Sequence, residues 1–297
     1  MPRNNPASAR RDATRLRLIG AIALWLMTAA VQAASPDPAA SGLTLRGEPV
    51  QGGLLIGKAP SAVRVTIDGE PVLQASDGTF LIGFDRDGDE ARRLSVEMAD
   101  GRTVARLLEP RTRAFDIQRI DGLPPSKVTP DPASLDRIRA EAAMVREART
   151  RRDDRVDFAQ GFVWPVGGPV TGVYGSQRIL NGEPRNPHWG IDIAAPTGTP
   201  VRAPAGGIVT LTHDDMYFSG GTLLLDHGLG LSSAFLHLDE ILVEPGERVE
   251  RGDIIARVGD TGRATGPHLD WRINLGSTRI DPALLLDGPP PSRSGSE

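Results

Sequence analysis

The hydrophobic pattern changes twice along the chain. From Leu43 to about Ile120, apolar and polar residues alternate in short runs, as in Val63-Arg64-Val65-Thr66-Ile67, Thr79-Phe80-Leu81-Ile82-Gly83-Phe84 and Leu94-Ser95-Val96-Glu97-Met98. Alternation sends successive side chains to opposite faces of a strand. Asp68-Gly69, Asp77-Gly78 and Asp100-Gly101 punctuate the runs, and Asp-Gly between alternating segments predicts hairpins. Residues 41–121 therefore read as a small antiparallel β-sandwich-like domain. A Pro-rich connector follows, and the period lengthens. Leu135, Ile138, Ala142 and Val145 recur at helical spacing, behind Asp131 as N-cap and Pro132 at the first helical position. This predicts a connecting helix over residues 131–155. Beyond it the chain is β-like again, with strand candidates at Gly207-Ile208-Val209-Thr210-Leu211, Thr222-Leu223-Leu224-Leu225-Asp226 and Asp253-Ile254-Ile255-Ala256-Arg257-Val258. Residues 162–287 form the expected second domain, and the Pro/Ser/Gly-rich stretch 288–297 reads as a disordered tail. The fold class is mainly all-β.

The first residues follow another rule. Arg3, Arg10, Arg11, Arg15 and Arg17 precede an apolar run from Leu18 to Val31, and Val31-Gln32-Ala33 then offers small residues. That order predicts a cleavable signal peptide over residues 1–34, with export to the periplasm. The alternative is an uncleaved inner-membrane anchor. In 297 residues there is no cysteine, so disulfides and thiolate metal sites are excluded. A net charge of −4 gives no footprint for nucleic acid, which is not an expected partner.

The chemistry is concentrated in the second domain. All five histidines lie between His188 and His268. His188 and Asp192 share one side of an extended segment, as do His268 and Asp270, while His237 stands between two leucines in Phe235-Leu236-His237-Leu238. Imidazole and carboxylate are ligands that Zn²⁺ accepts, and three of them with an open position make a hydrolytic centre. His213 and His227 sit at turns and read as structural, and Trp164 and Trp271 as core.

These segments resemble the lysostaphin-type (LytM-type) zinc metalloendopeptidases of bacterial cell walls. The resemblance covers about Trp164 to Leu286. It rests on His188-Trp189-Gly190-Ile191-Asp192 with its following Ala195-Pro196-Thr197-Gly198-Thr199-Pro200, on Phe235-Leu236-His237-Leu238, and on Gly266-Pro267-His268-Leu269. It implies a barrel-sandwich hybrid (duplicated hybrid motif) peptidase domain. It implies one Zn²⁺ ion held by His188 and Asp192, with His237 and His268 as catalytic histidines. A metal-bound hydroxide would attack a peptide carbonyl, one histidine moving the proton and the other stabilising the oxyanion. The substrate so implied is peptidoglycan, cut in its peptide stems or cross-links by a monomeric exported endopeptidase. Tyr174, Arg178 and Asn181, before His188, are candidate substrate contacts.

One position departs from the family pattern: its third ligand is the second His of His-x-His, and Asp270 stands there. A carboxylate can complete the metal site. It adds negative charge, weakens the ion as a Lewis acid and favours a harder metal. On that view, Asp270→His alone tightens zinc. Alternatively the domain is degenerate and binds and activates a cell-wall amidase. A biotinyl- or lipoyl-carrier reading lacks its hairpin lysine, because the only lysines are Lys58 and Lys127. The N-terminal β-domain carries no catalytic cluster and is expected to space the enzyme or to dock a cell-envelope protein.

Overall fold

The computed structural model describes residues 42–120, 132–289 and 291. The expected signal peptide, the Asp131 cap and residues 292–297 of the expected tail lie outside them. Eight strands form the N-terminal region: β1 (Thr44–Arg46), β2 (Leu54–Lys58), β3 (Ala62–Ile67), β4 (Glu70–Pro71), β5 (Thr79–Gly83), β6 (Arg92–Met98), β7 (Thr103–Leu108) and β8 (Ile117–Ile120). Seven of them build two sheets, in the orders β1-β2-β5 and β4-β3-β6-β7. The expected alternation holds on β6, where Leu94, Val96 and Met98 turn inward. Asp68 and Gly69 both adopt positive φ (53° and 88°), as the tight β3–β4 hairpin requires.

The second region contains β9 (Val170–Gly172), β10 (Gln177–Leu180), β11 (Glu183–Pro184), β12 (Gly190–Ala194), β13 (Pro200–Arg202), β14 (Gly207–Met216), β15 (Gly220–Gly228), β16 (Leu231–Ile241), β17 (Arg248–Val249), β18 (Ile254–Val258), β19 (His268–Leu275) and β20 (Thr278–Ile280). The main sheet runs β17-β14-β15-β16-β19-β12-β9. Strand β16 changes partner part-way. Leu231 to Leu236 pair with β19, whereas Leu238 to Ile241 pair with β18, which in turn pairs with β13. The fork folds the sheet over a core of Trp271, Phe235, Ile193, Leu223, Val201 and Ile255 without closing a barrel.

The two regions are packed together. Strand β5 is buried on both faces. Phe80 and Ile82 enter the sandwich core, while Leu81 joins the cluster of Ile191 and Trp271. Arg113 pairs with Asp281 at 2.8 Å, and the Asp281 amide donates to the Gly52 carbonyl at 2.8 Å. Strand β8 runs parallel to β10, so the N-terminal region adds a strand to the β10–β11 hairpin.

The connecting helix α1 (Leu135–Ala148) is shorter than expected. It begins after a 3-10 turn at Pro132–Ser134 and stops before Arg149. Its last turn tightens, the Arg149 and Thr150 amides donating to the Arg146 and Glu147 carbonyls; beyond it the Leu229 amide donates to the Asp153 carbonyl, and Arg155 pairs with the buried Asp226. Val145 and Ala148 pack on Leu224, Ala234 and Leu236 of the main sheet.

Candidate metal and catalytic centre

Register brings the site together. On β19, Leu269, Trp271 and Ile273 fill the core, so alternation turns His268, Asp270 and Arg272 to the other face. Strand β12 places Asp192 directly opposite Asp270 and Ala194 opposite His268. Like charges face to face on neighbouring strands repel, and Asp270 is 2% exposed. Such a pair requires a positive charge between or beside its members.

His188 enters from the segment before β12. Its Nδ1–H donates to the Val173 carbonyl at 3.3 Å, which leaves Nε2 to face the two carboxylates. Nε2 lies 3.0 Å from Asp192 Oδ1 and 3.6 Å from Asp270 Oδ2. The ligand atoms of His188, Asp192 and Asp270 all fall within 4.8 Å of one another. Despite their closeness, His188 Nε2 and Asp192 Oδ1 are misaligned for a bond to each other, and both are buried without a hydrogen-bond partner. Two orphaned polar atoms set close together beside a third carboxylate are what a cation's donors look like, and the residues fit a zinc ion in this respect, the metal taking the place of a proton on Nε2. Burial opposes protonation of His188, but Asp192 and Asp270 outweigh it and push its pKa up to about 10. Burial would raise the Asp270 carboxyl, yet Arg272 and His188 hold it well below the ordinary carboxylate range. Gly172 makes room for Asp192: a Cβ there would lie 2.1 Å from its Oδ2.

The other two histidines are oriented in the same way. His237 sits where β16 changes partner, with φ 64°, a left-handed backbone unusual for a residue with a Cβ. Its Nδ1–H donates to the Thr261 carbonyl at 2.8 Å. His268 Nδ1–H donates to the Gly266 carbonyl at 2.8 Å. The rings are 4.8 Å apart between centroids, and His268 Nε2 is 3.9 Å from Asp192 Oδ1. Burial lowers the pKa of His237 despite its bond to Thr261, so the ring is neutral at neutral pH. With each Nδ1 proton spent on a carbonyl, a neutral ring has only a lone pair at Nε2. Each can accept a proton there and, once protonated, donate it.

The structure thus assembles His188, Asp192, Asp270, His237 and His268. It does not bring Tyr174 to a groove. Tyr174 is 2% exposed, its hydroxyl donates to the Arg279 carbonyl at 2.8 Å, and its ring packs beside Phe115 and Trp189. It is a junction residue, because the N-terminal region covers it. Arg178 is exposed on β10, and Asn181 is exposed at the β10–β11 turn. His227 is a buried structural residue, bonded to the Gly206 carbonyl and to Ser233 Oγ at 2.7 Å each. Trp271 is core as expected; Trp164 is half-buried, donating to the Gly288 carbonyl. Arg272 was missed. It lies two residues beyond Asp270 on one strand, and period two would have placed it on the same face.

Comparisons with known proteins point to one family. Residues 186–282 match the profile of Peptidase family M23. A solved structure from Pseudomonas aeruginosa, described as a peptidase M23, is 31% identical and superposes with a TM-score of 0.60, covering 80% of this chain and 95% of that one. Peptidoglycan DD-endopeptidase ShyA of Vibrio cholerae is 42% identical over 87 residues, 29% of this chain and 20% of ShyA. ShyB of the same organism, also a peptidoglycan DD-endopeptidase, is 40% identical over 121 residues, 41% of this chain and 25% of ShyB. The match spans only a fifth to a quarter of the length of these two curated relatives.

Proposed function

The chain belongs to peptidase family M23, and on that premise we propose that it is a zinc-dependent endopeptidase that cuts the peptide stems or cross-links of peptidoglycan. The observation that carries the reading is the pair of buried, unpartnered donor atoms on His188 and Asp192, converging beside Asp270. These three residues would hold one zinc ion. When bound, the ion supplies Lewis acidity toward a peptide carbonyl and lowers the pKa of water. The chain does the rest. His237 and His268 stand side by side with each Nδ1 bound to a carbonyl, so the Nε2 of either ring is the atom that can take the proton from the attacking water. Once protonated, that ring donates to the leaving amine or to the developing oxyanion. The Thr261 and Gly266 carbonyls fix which nitrogen acts. Arg178 and Asn181, exposed on the hairpin before His188, are the proposed substrate contacts. The basic and then apolar leader supports secretion to the periplasm, where this substrate lies; a retained membrane anchor is the alternative.

The test is digestion of purified peptidoglycan by the full chain, with zinc quantified in the same sample. Release of shortened muropeptides is expected, abolished by chelator and restored by zinc. His237→Ala and His268→Ala should each retain zinc and lose activity by roughly 10²–10⁴-fold. Stoichiometric zinc with no cleavage of any muropeptide would overturn the reading. One observation favours a second reading, a metal-free domain that binds and activates an amidase: Arg272 already gives Asp270 a positive partner. A chain that purifies without zinc, takes up none, and stimulates an amidase would select it.

A further inference from the structure

We propose that Asp270 and Arg272 act as one ligand unit, in which the guanidinium fixes the carboxylate and cancels its charge, so that the pair serves the metal as a single neutral donor would. This rests on the zinc reading above.

The contact is a built one. Arg272 Nε lies 3.0 Å from Asp270 Oδ1 and 3.1 Å from Oδ2, and Nη2 lies 2.5 Å from Oδ2. The planar fork of arginine matches a carboxylate in this way and restricts its rotation. Across the register Gly190 faces Arg272. A Cβ at Gly190 would come within 2.6 Å of Arg272 Cγ and 2.9 Å of Asp270 Oδ1, so the bare backbone there makes space for the pair. Of the other charged side chains acting on Arg272, Asp192 is the one carboxylate and belongs to the proposed metal site, while Arg149 and Arg279 are cations and offer no substitute partner.

Charge decides the consequence. Asp192 and Asp270 present two negative charges to a cation, and Arg272 brings the total back to one. The ion then keeps more of its Lewis acidity than two uncompensated carboxylates would leave it, and the softening expected from Asp270 alone is offset. The expectation that Asp270→His by itself tightens zinc is reversed. That exchange leaves a guanidinium beside a divalent ion with only Asp192, itself a proposed ligand of the ion, as a nearby carboxylate.

Four full-length proteins test this: the wild type, Arg272→Gln, Asp270→His and the double variant. Zinc affinity is read by competition with a chromophoric chelator, and Tm is read on the zinc-free proteins. Asp270→His alone should bind zinc about tenfold more weakly, the scale of losing a supporting contact. Adding Arg272→Gln should restore most of that loss. The same Arg272→Gln exchange should lower the zinc-free Tm by several degrees when Asp270 is present, because it leaves the buried carboxylate with only the longer His188 contact, and raise it in the Asp270→His background. Arg272→Gln effects of the same sign in both backgrounds would overturn the proposal. Should Arg272→Gln fail to fold alone, the comparison of Asp270→His with the double variant still decides it, since rescue is expected only of a coupled pair. A wild type that takes up no zinc overturns the zinc reading itself, whichever way Tm moves.

Discussion

The N-terminal sandwich and the peptidase sheet are both twisted antiparallel β-structures, yet they bury different things. In the sandwich region the buried polar side chains are Gln51, Thr79 and Arg86, and two of these serve the junction. Gln51 accepts from the Arg113 amide, and Arg86 donates to the Gly175 carbonyl. The peptidase sheet buries Asp226, His227, Ser233, His237, Asp270 and Asn274 along its strands. Polar groups taken out of water cost stability unless they are paired. The sandwich is therefore built as apolar packing, whereas the sheet spends stability on groups held at fixed positions. Burial alone does not mark function, however. His227 is as enclosed as any core leucine and its bonds are complete, whereas His188 is more exposed and has an orphaned nitrogen.

The sharpest way to break this contrast is to remove one donor. His188→Ala should abolish stoichiometric zinc and lower peptidoglycan cleavage by roughly 10³-fold or more, with the fold kept by circular dichroism. Unchanged zinc content would refute the assignment. In the sandwich, Phe80→Ala should lower stability by about 3–5 kcal/mol, as a cavity does in a packed core. Denaturant titration measures it, and the folded fraction should still bind zinc.

A pH comparison separates neighbours on β15. Burial lowers the pKa of His227 from 6.5 to about 4, against the pull of the Gly206 carbonyl. As pH falls from 6.5 to 4, the unfolded chain takes up a proton that the folded chain refuses. His227 thus withdraws about 3 kcal/mol of stability over that window. Burial pushes Asp226 up to about 6 despite Arg155. Its folded state takes up a proton first, so between pH 6 and 3.8 it acts in the opposite direction. His227→Gln should therefore lose less stability on acidification than the wild type, and Asp226→Asn should lose more. Equal slopes from denaturation at pH 7 and pH 4.5 would refute both. The smallest effect belongs to Tyr174→Phe. Removing the hydroxyl bond to Arg279 should cost about 1 kcal/mol and leave KM for muropeptides unchanged. A raised KM would return Tyr174 to the groove.

Much of this was legible in the residues. Asp-Gly pairs marked the hairpins: at Asp68-Gly69 both residues take positive φ, and at Asp77-Gly78 and Asp100-Gly101 the glycine alone does. Period two placed His268 and Asp270 on one face, and the same rule applied one step further reaches Arg272. What remained hidden depends on contacts between distant segments. Tyr174 looks exposable in a Gly-rich stretch until Gly52 and Phe115 close over it. The charged run 149–155 carries no stop signal of its own, yet the helix ends at Ala148 and the chain beyond it meets Leu229 and Asp226 of the main sheet. No local pattern reports that β16 serves two partners, or that His237 takes a left-handed backbone at the switch.

The parallel pairing of β8 with β10 bears on how this protein can be dissected. Trimming the chain to residues 162–287 would bare one edge of the hairpin that precedes His188. It would also remove Arg86 from the carbonyl of Gly175, whose own amide holds the His188 backbone. Such a fragment presents an open edge to its own copies and a loosened support under His188. Weak activity in it would report the missing buttress, not the merit of the histidine and carboxylate cluster.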